Sequence, residues 1–90
     1  MPYIMNESKK ALYQEFLDRV KYVDKKAYRI LKGLTNRSDK YLKHIEFSIY
    51  VNPHCSIDLL YLFLWDKTKQ GHAYWNGVRN KYWGVMYNVH

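Results

Sequence analysis

Side chains able to hold a metal or attack a substrate are few in this chain. His44, His54, Cys55, His72 and His90 are zinc-ligand types, but they form no C-x-x-C or H-x-x-x-H spacing, and no paired carboxylates stand beside them. Surface histidines and a thiol packed as a small apolar group account for them. A Cys–His nucleophile fails by the same test, because no Gly-rich elbow or oxyanion loop accompanies Cys55. The four glycines are isolated, which leaves no phosphate-cradling loop. Asp58 and Asp66 fall near expected helix starts, where capping explains them better than proton transfer. The chain reads as non-enzymatic, with no metal and no cofactor implied.

Charge is the stronger signal. The net charge is +7, and between residues 9 and 43 eleven Lys/Arg stand against four acids while the remainder balances. Lys21, Lys25, Arg29 and Lys32 follow at spacings of four, four and three, which places four cations on one face of a helix with Tyr22 close by. Cations beside an exposed ring suit nucleic-acid phosphates and bases. A solvated face opposite an apolar stripe accounts for the same pattern.

The third candidate is aromatic. All three tryptophans, with Tyr61, Tyr74 and Tyr82, fall between residues 61 and 83. A small domain needs its largest side chains inside, so Phe63, Leu64, Trp65 and Trp75 are expected in the core. Tyr74, Tyr82 and Trp83 are expected as a surplus that forms a partner-binding surface.

Within this region, Leu62-Phe63-x-Trp65-x-x-Thr68-x-Gln70-Gly71-x-x-Tyr74-Trp75-x-x-Val78 resembles a box in small, mostly uncharacterised bacteriophage accessory proteins. The resemblance spans about 17 of the 90 residues and brings no catalytic residues with it. It implies a phage-type accessory protein acting on a host or viral macromolecule.

The elements that would position these residues begin with a helix from Ser8 to Lys32, about 37 Å long at 1.5 Å per residue. Its apolar stripe is Leu12, Phe16, Val20, Val23, Ala27, Ile30, Leu31 and Leu34, with Lys32 and Gly33 as a reasonable helix end. A break at Val23-Asp24, with Asp24 capping a second helix, is the alternative. Ile45, Phe47, Ile49 and Val51 alternate with polar residues and Tyr50, as in a strand, and Val85, Tyr87 and Val89 alternate again. Between them, Ser56 caps a short helix over 57–64, or that run is a buried strand, and Asp66 or Thr68 caps a helix reaching about Asn80. The expected fold is α+β: one domain over 1–90, mostly helical, with a long N-terminal helix and a two-stranded antiparallel sheet from about 45–51 and 84–89. All-α is the alternative.

A single cysteine excludes an internal disulfide and points to the reducing cytoplasm, of the host if the chain is phage-encoded. No basic-then-apolar leader is visible, and the longest apolar run, Leu59 to Trp65, is seven residues, against the roughly 20 that a membrane span needs. The leading expectation is a non-enzymatic protein that binds a host or viral protein through its aromatic surface. Nucleic-acid binding through the basic face is the alternative, and a homodimer closed by the aromatic surplus is the third reading.

Overall fold

The computed structural model describes residues 3–54 and 57–87. Along them run α1 (Glu7–Val23), α2 (Lys25–Arg37), α3 (Asp39–Val51), α4 (Ile57–Lys67) and α5 (His72–Tyr87). The first three helices each start at a residue whose side chain accepts from an otherwise unpaired backbone N–H. Asn6 accepts from Ser8 N at 2.9 Å, Asp24 from Ala27 N at 3.1 Å and Ser38 from Tyr41 N at 3.1 Å. Asp24 and Ser38 also close the preceding helix, donating their own N–H to the Val20 and Leu34 carbonyls at 2.8 and 2.9 Å. Both are one-residue joints in extended backbone, with φ −158° and ψ 109° at Asp24 and φ −125° and ψ 106° at Ser38. The chain therefore turns within a single residue, and α1, α2 and α3 pack against one another.

α1 is central, touching α2, α3 and α5, while α4 packs against α3 and α5. Phe16 and Val20 of α1 are wholly buried among Ala27 and Leu31 of α2, Tyr41 and Ile45 of α3, and Trp75 of α5. The Tyr13 hydroxyl bonds the Tyr41 hydroxyl at 2.8 Å and the Thr35 hydroxyl at 2.6 Å, so one buried polar cluster ties three helices together.

The expected α+β fold is corrected. Among the described residues there is no strand, and the architecture is all-α. Residues 45–51 form the last half of α3, whose buried set is Tyr41, Ile45, Ser48 and Ile49, at helical spacing. The apparent alternation came from Phe47 and Val51, which are 65% and 57% exposed. Of the proposed second strand, 84–87 ends α5, and Asn88 and Val89 lie outside the described residues. The single long helix is corrected too, because Asp24 breaks it as the alternative had it. The proposed Ser56 cap lies outside the described residues.

The box at 62–78 forms the corner between α4 and α5. Rather than capping α5, Thr68 closes α4, since its N–H and its hydroxyl both donate to the Leu64 carbonyl, at 3.1 and 2.7 Å. The same hydroxyl accepts from Trp75 Nε1 at 2.7 Å, and Trp75 N donates to the Gly71 carbonyl at 3.3 Å. Trp75 is wholly buried. Trp65, expected in the core, is instead 47% exposed and lies edge-on to the His72 ring at 4.7 Å. Among the described residues, no helix is long and apolar enough to cross a membrane.

The Thr68 relay gives a direct test. Thr68→Val keeps the shape but leaves a buried indole N–H without its acceptor, so urea unfolding is expected to show a loss of about 1–3 kcal/mol. An unchanged midpoint would mean that the corner does not depend on this hydroxyl.

Candidate nucleic-acid interface

α2 carries Lys25, Lys26, Arg29, Lys32 and Arg37 and no Asp or Glu. Its buried side is Ala27, Leu31 and Leu34, and the helical repeat sets Lys25, Arg29 and Lys32 opposite them in one row. All five cations are exposed, and none makes an ion pair among the described residues. Lys26 lies over the Tyr74 ring at 5.0 Å, and Arg37 Nε donates to the Gly33 carbonyl at 3.1 Å.

The break at Asp24 puts Lys21 on α1 rather than on the helix of the other three cations. The joint nonetheless brings it back to α2, because Lys21 Nζ lies 5.3 Å from the centre of the Tyr28 ring. Tyr22, at the end of α1, is 77% exposed. The proposed basic set is thus split between two helices, and α2 carries Lys26 and Arg37 as well, roughly a quarter-turn around the helix from the row. Their signal was available in the sequence as thirteen residues without a carboxylate.

Tyr74, Tyr82 and Trp83 do not form one surface. Positions 74 and 82 are eight residues apart, so they are about 80° apart around α5. Tyr82 is a core residue, 3% exposed, with its ring 6.0 Å from that of Phe16 and its hydroxyl accepting from Arg19 Nε at 2.9 Å. Trp83 is half-buried and donates Nε1–H to Asp58 Oδ2 at 2.8 Å. Tyr74 is half-buried against α2, its hydroxyl buried and without a hydrogen-bond partner among the described residues. Among the described residues, the exposed large apolar side chains are Ile4, Tyr22, Phe47, Tyr50, Val51 and Trp65. Of these, Phe47, Tyr50 and Val51 share a face of α3.

No group of three or more metal-ligand side chains comes together among the described residues, and Cys55 and His90 lie outside them. His72 is hydrogen-bonded to the Tyr61 hydroxyl, and His44 stacks on Phe63 at 5.0 Å. The chain matches no protein-family model, and no curated protein or solved structure is significantly similar to it.

Burial, followed by the charge of nearby Asp24, pushes the Tyr74 hydroxyl up to about 12 from 10.0. Because the folded state resists ionisation of this hydroxyl more than the unfolded chain does, stability is full below pH 10.0 and falls as pH rises through about 12. Tyr74→Phe should flatten that alkaline fall in denaturant titrations. At neutral pH it should leave stability unchanged or raise it by up to about 1 kcal/mol, because it removes an unpartnered buried hydroxyl. A loss at neutral pH would mean that the hydroxyl has a partner.

Proposed function

We propose that this chain is a non-enzymatic, nucleic-acid-binding accessory protein whose contact surface is the outward row of α2, Lys25, Arg29 and Lys32, joined by Lys21. The observation that carries this reading is a helix with five exposed cations, no carboxylate and no ion pair among the described residues. An amphipathic helix needs a polar outer face, but it does not need one of a single sign. Surfaces built only for solubility mix signs, whereas a phosphate-binding face does not. The resemblance of the 62–78 box supports a phage-type setting, with the host cytoplasm as the place of action.

A second reading, closer to the leading sequence expectation, is a protein partner held by an aromatic surface. It is favoured by the exposed Phe47, Tyr50 and Val51 on α3 rather than by Tyr74, Tyr82 and Trp83. Salt separates the two readings, since an apolar contact loses little affinity with added salt.

The test is binding of labelled single- and double-stranded DNA and RNA at about 50 and 200 mM salt. If Lys21, Lys25, Arg29 and Lys32 each meet a phosphate, single-strand affinity should fall by about 50-fold between the two conditions. Lys25→Glu/Arg29→Glu should weaken low-salt binding by at least about tenfold and flatten the salt slope. Absence of binding at the lower salt, or binding indifferent to the double variant, would remove α2 as the functional surface.

A further inference from the structure

The row Lys25, Arg29, Lys32 continues by one turn to Asn36, and there it meets a cavity of about 330 Å³ bounded by residues 3–5, α1, α2 and Leu42 of α3. Ligand pockets usually start at about 300 Å³, with an apolar floor and a few polar groups that fix orientation. This cavity has that make-up. Its floor includes Met5 and Leu17, 6% and 2% exposed, and its mouth carries Lys10 from α1 and Lys32 from α2. No lining residue is acidic, and neither lysine is in an ion pair among the described residues.

Two amides stand at the same mouth. Gln14 donates its amide N–H to Asp18 Oδ1 at 3.1 Å, which leaves its carbonyl oxygen to accept. The Asn36 side chain makes no hydrogen bond among the described residues, so its donor and its acceptor are both open to a ligand. On another side stands Tyr3, whose hydroxyl donates to Glu46 Oε1 at 2.6 Å and whose N–H donates to Asp39 Oδ1 at 3.3 Å. Asn6 N adds a bond to Glu46 Oε2 at 3.0 Å. The Tyr3 hydroxyl first, and then the Asn6 N–H, hold the Glu46 carboxyl below its usual range, so this clamp on the segment is set at neutral pH.

We propose that this cavity takes an unstacked nucleobase of a single strand whose phosphates lie along the α2 row. The inference rests on the nucleic-acid reading of α2 and adds strand selectivity to it. An apolar floor receives the face of a base, and the open groups of Gln14 and Asn36 meet its hydrogen-bonding edge. Lys10 and Lys32 bracket the phosphates on either side. In a duplex that edge is paired and the base is stacked, so duplex nucleic acid reaches only the row.

The experiment compares fluorescence anisotropy of a short labelled single strand, its duplex and free mononucleotides, at about 50 mM salt. The wild-type chain should prefer the single strand to the duplex by about tenfold, the value of one stacked base. Gln14→Leu/Asn36→Leu changes two exposed residues and should keep the thermal midpoint. It should weaken the single strand by about tenfold and leave the duplex unchanged, abolishing the preference. If the wild type prefers the single strand and the double-leucine variant keeps that preference, the cavity is not the base site, although α2 remains the phosphate surface. Equal wild-type affinity for strand and duplex would likewise exclude the cavity as the base site. Mononucleotides binding as tightly as the strand would make the cavity a free-nucleotide site and overturn the proposal. If the wild type binds neither nucleic acid, the α2 reading fails and this one fails with it.

Discussion

The Asp24 carboxylate is the interaction on which the arrangement of this molecule turns. It accepts from Ala27 N as the first acceptor of α2, while its own N–H closes α1 on the Val20 carbonyl. It lies 3.9 Å from Lys81 Nζ of α5, and its charge bears on the Tyr74 hydroxyl. One residue thus ends a helix, starts the next and meets a third. Without that break the stripe from Leu12 to Leu31 would continue as one straight rod. With it, α2 lies back on α1 and α3, and its cations face outward.

The same joint offsets a local conflict. Lys25 and Lys26 occupy the first turn of α2, where the positive end of the helix dipole disfavours cations by a few tenths of a kcal/mol each. Arg37, in the last turn, is favourably placed. Asp24 partly neutralises the first turn and Lys26 lies over the Tyr74 ring, but no ion pair or ring contact among the described residues calls for Lys25 there. Places where a local rule is broken without a packing reason are where function is to be sought. This is the physical reason for preferring α2 to the aromatic surface.

How much was legible in the sequence differed between elements. The basic row was readable for Lys25, Arg29 and Lys32, whose spacing falls wholly within α2, but not for Lys21 across the joint, and Asp24 was readable as a cap. α3 was not, because Phe47 and Val51 are apolar side chains left in solvent and they imitate a strand's alternation. The helical set Tyr41, Ile45 and Ile49 after a Ser38-Asp39 start was the competing signal. For Tyr82, burial depends on contacts with Phe16 and Arg19, more than sixty residues earlier in the chain, and no local pattern encodes that. The box at 62–78 was visible as a pattern, and its meaning emerges only from the Thr68 hydroxyl, which joins the end of α4 to the Trp75 indole.

The central claim is that the α2 row is where this protein meets nucleic acid. Amide chemical-shift mapping of the isotope-labelled chain against a short single strand at low salt tests it most directly. The account predicts that the largest shifts fall on Lys25, Arg29, Lys32 and Asn36, extend to Lys21 across the Asp24 joint, and spare Phe47, Tyr50 and Val51. Shifts centred on the α3 face, or none at all, would contradict it.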